Sequence, residues 1–199
     1  MRFASASALA LITMLLSPAR SFAVTDWTVE VLPGTVLANF NADDFIVSTS
    51  LGKSQPSLVS TMPNISLGLA FASPEGFLDL KLGTGMLLNA NLSSFQVYGT
   101  AGYSYEMRPS VLFGPHVTLN YFTAPDWWGD ENVEFSNSLG FMLGLHLIAG
   151  DKISYLLSMD YLSLSFDAEK GAGANAVSLA KDKLDMSGIA VQFGIRAQF

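Results

Sequence analysis

Cysteine is absent from the 199 residues, so no disulfide framework can stabilise the chain. Charged residues are scarce at 14%, and the formal net charge is -7. Because an acidic chain repels phosphate backbones, nucleic acid is excluded as an expected partner. Half of the residues are nevertheless hydrophobic. Stability is therefore expected from burial and hydrogen bonding within a single domain.

A long apolar run occurs only at the N-terminus. Arg2 precedes the predominantly apolar residues 8–16, and the small residue Ala23 ends the segment. The run is well below the roughly 20 residues that a spanning helix needs, whereas its layout is typical of a Sec signal peptide. We expect cleavage after Ala23, which leaves residues 24–199 as the mature domain. Cleavage removes two of the ten basic residues, so the mature chain is more acidic.

In the mature domain, hydrophobic residues alternate with small or polar ones. Every second residue from Ile189 to Phe199 is apolar. A period of two residues predicts a β-strand with one apolar face. The same pattern predicts eight strands, over residues 27–37, 64–72, 77–89, 95–107, 111–123, 135–149, 153–166 and 189–199.

Three positions disturb this pattern. Pro33 and Pro115 lie inside predicted strands, and proline cannot donate a hydrogen bond to a neighbouring strand. We therefore expect a local bulge at each proline. In residues 153–166 the alternation changes phase at Leu162, which indicates either a bulge or a strand that continues beyond the membrane.

The connections between the predicted strands alternate between short and long. Tight turns are expected at residues 73–76, 108–110 and 150–152, and longer links at residues 38–63, 124–134 and 167–183. Transmembrane barrels have short periplasmic turns and longer outer loops, and an even number of strands places both termini in the periplasm. Residues 90–94 are the one brief link among the longer set.

The composition of the two strand faces distinguishes a membrane barrel from a soluble lipocalin-type barrel, which also alternates. The polar face consists mainly of Gly, Ser, Thr and Ala, which are too small and uncharged to coat a soluble protein but suit a narrow lumen. The other face is continuously apolar, as contact with lipid requires. The prediction is an all-β, closed, antiparallel, up-and-down eight-stranded transmembrane β-barrel.

The C-terminal strand carries a recognisable motif. The signal peptide, the eight strands and this motif resemble the small outer-membrane barrels typified by OmpA and OmpX, and the final aromatic residue resembles the signal read by the barrel-assembly machinery. The residues of the motif are Ile189, Val191, Phe193, Ile195 and Phe199. The resemblance implies assembly by that machinery with periplasmic chaperones, and a place in the outer membrane of a Gram-negative bacterium. It brings no ligand or catalytic residue with it.

Alternation also predicts which polar side chains point into the lumen. They are Glu30, Asp79, Lys81, Glu106, Arg108, His116, His146, Asp160 and Arg196. Because buried charges must be paired, we interpret the set as a salt-bridged plug, with a gated polar pathway as the alternative. The two histidines also allow a pH-sensitive contact or a metal pair. No third ligand follows at a known spacing, so we expect no metal site.

One predicted outer loop combines two tryptophans with four carboxylates. Its residues of interest are Asp126, Trp127, Trp128, Asp130, Glu131 and Glu134. Such a loop could hold a divalent cation, or could contact lipopolysaccharide or another partner. The preferred interpretation is a solvated acidic loop whose tryptophans lie at the membrane interface, where such rings concentrate.

The sequence favours a non-enzymatic function. His116-x-Thr118 is faintly similar to the His-x-Ser of outer-membrane lipid A deacylases, but threonine replaces the nucleophilic serine, and nucleophilic catalysis needs a matched set of groups. We expect a monomer without a cofactor that contacts outer-membrane lipid and lipopolysaccharide and supports the envelope or surface contacts. A small-solute channel is the second hypothesis, and a lipid A-modifying enzyme is the third.

Overall fold

The computed structural model describes residues 23–49, 52–73, 76–128, 133–170 and 178–199, and it shows a closed, antiparallel eight-stranded β-barrel. Consecutive barrel strands pair with one another, and the last strand pairs with the first to close the barrel. The barrel strands are β1 Ala23–Asn39, β2 Asn64–Ser73, β3 Gly76–Leu88, β4 Leu92–Arg108, β5 Val111–Phe122, β6 Ser138–Gly150, β7 Ile153–Ser163 and β8 Gly188–Gln198. The predicted fold is confirmed. Residues 1–22 lie outside the described residues, so the signal peptide remains a prediction.

The barrel has two different ends. The short connections β2–β3, β4–β5 and β6–β7 lie at one end with Ala23 and Phe199, and we name it the turn end. The opposite loop end carries short strands at Val47–Thr49, Gly52–Ser54, Val59–Thr61, Asp126–Trp127, Val133–Phe135, Ser165–Lys170, Ser178–Leu179 and Lys183–Asp185, and a 3-10 turn at Ala42–Asp44. Six of these strands form two separate three-stranded sheets. Within the described residues, no helix has the length and apolar character needed to cross a membrane.

The outer wall of the barrel is apolar. Leu82 is 73% exposed in the middle of β3, and Trp27, Leu67, Leu119 and Phe193 are each more than half exposed on other strands. Along each strand the outward residues alternate with inward ones, most of which are small or polar. The inward apolar exceptions include Leu32, Ile148 and Leu156, which pack together. Because the two faces alternate along the barrel strands, the wall forms a continuous hydrophobic surface around the barrel.

The two prolines behave differently. The pairing of β1 with β8 shifts register between Val31 and Gly34, so the bulge expected at Pro33 is confirmed. The prediction of a bulge at Pro115 is wrong, since the register between β4 and β5 is the same on both sides of this residue. Loss of one N–H donor interrupts the ladder there without inserting an extra residue. A bulge that was not predicted occurs in β4 between Glu106 and Arg108.

The change of phase near Leu162 reflects a strand that continues beyond the barrel. Burial alternates without interruption along β7 and into the short strand Ser165–Lys170, and Leu162, Leu164 and Phe166 all point inward. The chain therefore has no bulge here. The inward positions become apolar because the strand passes from the polar lumen into a hydrophobic core at the loop end.

This loop-end core fills the barrel above its polar interior. It contains fully buried side chains from β1, β5 and the short strands, including Leu37, Phe122 and Leu184. Phe45 packs against Trp127 and Phe135, with ring centroids 6.0 and 5.7 Å apart. This core was not predicted from the sequence, because its members come from three separate connections as well as from the barrel strands.

Candidate functional site

The lumen near the turn end contains four buried charged side chains, which we name the ion cluster: Glu30, Asp79, Lys81 and Arg196. Arg196 donates two hydrogen bonds to Asp79, of 2.7 and 3.1 Å. Lys81 donates to both oxygens of Glu30, at 2.8 and 2.9 Å. An Arg196 nitrogen also lies 3.6 Å from Glu30. Strands β1, β3 and β8 are thus connected across the lumen.

Glu106 and Arg108 do not belong to this cluster. Both side chains are exposed at the turn end, which corrects the prediction that they point into the lumen. The bulge follows Glu106 and changes the alternation at Arg108, whereas Glu106 keeps the register of the barrel opposite Leu112 and is exposed at the end of the strand pair. Strict alternation is therefore a reliable guide to side-chain direction only as far as Ser104, which is the last buried residue of that strand.

A second polar group, which we name the histidine row, lies in the middle of the lumen and consists of Ser104, His146, His116 and Asp160. Ser104 Oγ is 2.7 Å from His146 Nε2, and the two Nδ1 atoms of His146 and His116 are 3.1 Å apart. His116 Nε2 lies 2.6 Å from an oxygen of Asp160. All four side chains are buried. They come from the four consecutive strands β4 to β7.

Two glycines provide the space for the histidine row. A Cβ atom at Gly102 would lie 3.0 Å from His116 Cβ and 3.1 Å from His146 Cε1. A Cβ atom at Gly144 would overlap the carboxylate of Asp160. Small residues on the inner face of β4 and β6 are thus required by the close approach of side chains from the neighbouring strands β5 and β7.

Hydrogen bonds extend the histidine row further across the lumen. Ser158 and Gln192 donate to Asp160, at 2.8 and 2.9 Å. Asn64 donates to Gln192 at 3.3 Å and accepts from the Tyr98 hydroxyl at 2.7 Å. These partners and Ser104 were not among the site residues predicted from the sequence, although their inward positions follow from the alternation. A cavity of about 40 Å³ lies beside them, which is room for water-sized molecules only.

Ser104 and the two histidines have part of the geometry of a catalytic serine and its base. A nucleophile must reach its substrate, however, and Ser104 is 0% exposed inside the barrel. Within the described residues, no group of three or more His, Asp or Glu side chains is arranged to hold a metal ion. Ser104 and the two histidines are thus hydrogen-bonded to one another inside the barrel.

The predicted acidic loop is only partly an exposed surface. Trp127 is half-buried and packs on Phe45, so it belongs to the loop-end core, whereas Trp128 is 58% exposed. Asp126 and Glu134 are exposed beside it. Asp130 and Glu131 lie outside the described residues.

The loop-end surface carries charges of both signs with an acidic excess. Lys181 and Lys183 form exposed ion pairs with Asp44 and Asp167, at 2.7 and 3.2 Å, and such pairs contribute little stability. Asp185 is half-buried and interacts electrostatically with Lys181. Partial burial raises the pKa of this carboxyl group, but hydrogen bonds from Ser187 and Asn41 outweigh burial and leave the pKa below its ordinary value.

The residues of the predicted assembly motif lie on the outer wall of β8 and at the chain end. Val191, Phe193, Ile195 and Phe199 are exposed, and Ile189 is half-buried. Their alternation with Gln192, Arg196 and other inward residues is that of the predicted strand. Recognition of this strand by an assembly machinery remains a prediction.

Comparison with known proteins shows similarity of fold. Neither a protein-family model nor a curated protein matches the sequence. The crystal structure of the outer-membrane protein OprG from Pseudomonas aeruginosa aligns with a TM-score of 0.50 and 12% identity, covering 88% of this chain and 97% of OprG. Neisserial surface protein A aligns with a TM-score of 0.47 and 15% identity, covering 87% of this chain and 97% of that protein. AlkL, solved in lipid bilayers, aligns with a TM-score of 0.46 and 13% identity, covering 92% of this chain and 95% of AlkL. The fold is thus that of small outer-membrane barrels.

Proposed function

We propose that this chain is a non-enzymatic outer-membrane protein whose filled barrel supports the envelope and presents its loop end for contacts at the cell surface. The fold of small outer-membrane barrels and the continuous apolar outer wall support the location. The short turns then face the periplasm together with both termini, and the loop end faces outward.

One observation carries the proposal: the lumen is blocked twice along its length. The ion cluster closes the side of the turn end with paired charges. The loop-end core closes the other side with packed apolar side chains. Between the blocks lie the histidine row and a cavity of about 40 Å³ whose lining includes His116 and His146. Because an eight-stranded barrel is just wide enough for side chains to fill, a closed interior is the expected state of this architecture.

The loop end is a surface supported by the hydrophobic loop-end core beneath it. The two short sheets, and the short strands that pair with β1 and β4, pack on the loop-end core. A hydrophobic core beneath connecting segments holds them in one arrangement, which favours contact with outer-leaflet lipopolysaccharide or with a surface partner. The exposed Trp128 beside Asp126 is the side chain that we expect to make the largest single contact.

Single-channel recording in a planar lipid bilayer tests the proposal. We expect the refolded protein to give no current steps after heat-modifiable gel mobility has confirmed that the inserted barrel is folded. Two variants identify the source of any current: His116→Ala alters the middle of the lumen, and Glu106→Gln alters an exposed position at the turn end. Reproducible steps that change in His116→Ala but not in Glu106→Gln would instead establish the small-solute channel.

A further inference from the structure

Two amide side chains inside the barrel each have a buried polar atom that the chain leaves unpaired. Gln96 on β4 and Asn120 on β5 point into the lumen, and each is 1% exposed. Within the part of the chain that the structure describes, Gln96 Oε1 and Asn120 Nδ2 have no hydrogen-bond partner. Buried polar atoms are almost always hydrogen-bonded, so these two indicate a partner from outside the chain.

The residues opposite Gln96 on the neighbouring strands offer its oxygen no donor side chain. They are Gly85 on β3 and Phe122 on β5, and neither has a polar side-chain atom. A Cβ atom at Gly85 would lie 2.8 Å from Gln96 Nε2, so this glycine provides the space in which the amide lies. The amide of Gln96 is thus placed over a strand position that has no side chain to bind it.

The residues opposite Asn120 likewise leave its amide nitrogen without a partner. Gly140 on β6 has no side chain, and a Cβ atom there would lie 3.0 Å from the ring of Phe122. On β4 the opposite residue is Tyr98, whose hydroxyl group is hydrogen-bonded to Asn64 instead. The two unpaired atoms therefore follow from the strand register and from the two glycines.

Both amides line the lumen cavity of about 40 Å³. Met62 and Met142 of the loop-end core line the same cavity, so it extends to the inner side of that core. Among the described residues of the lining, only Gln96 and Asn120 have a buried side-chain atom without a partner. One water molecule needs about 10–15 Å³ of such space, so the cavity has room for about three.

We propose that this cavity is a binding site for a cluster of about three water molecules, which donate to Gln96 Oε1 and accept from Asn120 Nδ2. Water both donates and accepts hydrogen bonds, so one cluster can satisfy the unpaired oxygen and the unpaired nitrogen. The cavity lies between the ion cluster and the loop-end core, and we expect these molecules to exchange slowly with bulk water. Their slow exchange rests on the closed lumen of the proposed function.

A crystal structure of the refolded mature chain, at a resolution that shows water molecules, tests the location of the cluster. We expect electron density for water within hydrogen-bond distance of both Gln96 Oε1 and Asn120 Nδ2. Magnetic relaxation dispersion of the solvent gives the number of molecules in solution. It detects water that stays bound for longer than the complex of protein and micelle takes to tumble.

A double variant tests the role of the two amides. Gln96→Met with Asn120→Leu replaces both amides by apolar side chains of similar size, and we expect the number of long-lived water molecules to fall by about three. Gln55→Met makes the same exchange at an exposed position of the loop end and should leave that number unchanged. Heat-modifiable gel mobility shows that each variant is folded, and the crystal structure of the natural chain does not depend on the variants.

Three results would overturn the proposal. The first is a well-ordered lumen without water density at the two atoms, and the second is an ion or another molecule bound there in place of water. The third is an equal number of long-lived water molecules in the natural chain and in the folded double variant. Current steps in single-channel recording, together with water density at both amides, would contradict the closed barrel of the proposed function but would support the water site.

Discussion

Replacement of Arg196 by methionine is expected to lower the free energy of unfolding of the barrel by about 3–5 kcal/mol. Arg196 is 1% exposed and donates both hydrogen bonds from β8 to Asp79 on β3. Methionine fills part of the same volume but carries no charge. Asp79 then remains buried without the donors that offset its loss of hydration, and the cost is the penalty for this uncompensated carboxylate.

Urea unfolding of the refolded protein in micelles measures this effect, and two further variants show its origin. The double variant Asp79→Leu with Arg196→Met removes one negative and one positive charge and leaves the Glu30–Lys81 pair intact, so most of the stability should return. Arg108→Met removes an exposed arginine and should change stability by no more than about 0.5 kcal/mol. Equal effects of the two single arginine substitutions would contradict the role of the ion cluster.

Leu82→Arg is expected to destabilise the barrel in a bilayer by about 2–4 kcal/mol. Leu82 lies near the middle of β3 and is 73% exposed on the outer wall, so its replacement disturbs no packing inside the barrel. In water such a substitution on an exposed face would have almost no effect. The expected cost arises because arginine at this depth must be taken into the hydrocarbon region of the membrane.

Leu58→Arg is the matched control for this experiment. Leu58 is also exposed, but it lies at the loop end in front of the short strand Val59–Thr61. A charge close to the membrane surface costs only about 0–1 kcal/mol. Unfolding from liposomes measures both variants. If Leu82→Arg is as mild as Leu58→Arg, the apolar wall does not face lipid.

The barrel could be predicted from the sequence because a membrane barrel repeats one physical rule in every strand. Lipid requires an apolar residue at each outward position, so a period of two residues is visible from Ile189 to Phe199 and in most other strands. Pairing within the lumen also follows in part from this rule. Glu30 lies opposite Arg196 once β8 closes on β1, and both are inward residues near the turn end.

The loop end could not be predicted in the same way. Its strands are two to six residues long, and they form because distant segments pack on Phe45, Phe166 and Leu184. Local propensity carries little information about such tertiary contacts. Arg108 was misplaced because a single extra residue in β4 changes the direction of the side chains that follow it. Glu106 precedes that residue and is exposed because it lies at the turn end of the barrel.

The histidine row could be predicted from the sequence only in part. Alternation places His116 and His146 inside the barrel on adjacent strands, and the structure shows both there. The contacts with Ser104 and Asp160 depend in addition on register, side-chain rotamers and the space left by Gly102 and Gly144. A sequence pattern therefore indicates which residues share the lumen, but only the closed barrel shows which atoms meet.

Cysteine labelling in intact cells tests the central claim most directly, because the natural chain contains no cysteine. Ser136→Cys places a thiol at an exposed position of the loop end, and Lys152→Cys places one at an exposed position of the turn end. With a membrane-impermeant maleimide, we expect Ser136→Cys to be labelled from outside, and Lys152→Cys to be labelled only after the outer membrane has been permeabilised. Labelling of Lys152→Cys in intact cells, or protection of Ser136→Cys, would contradict an outer-membrane barrel that presents its loop end at the surface.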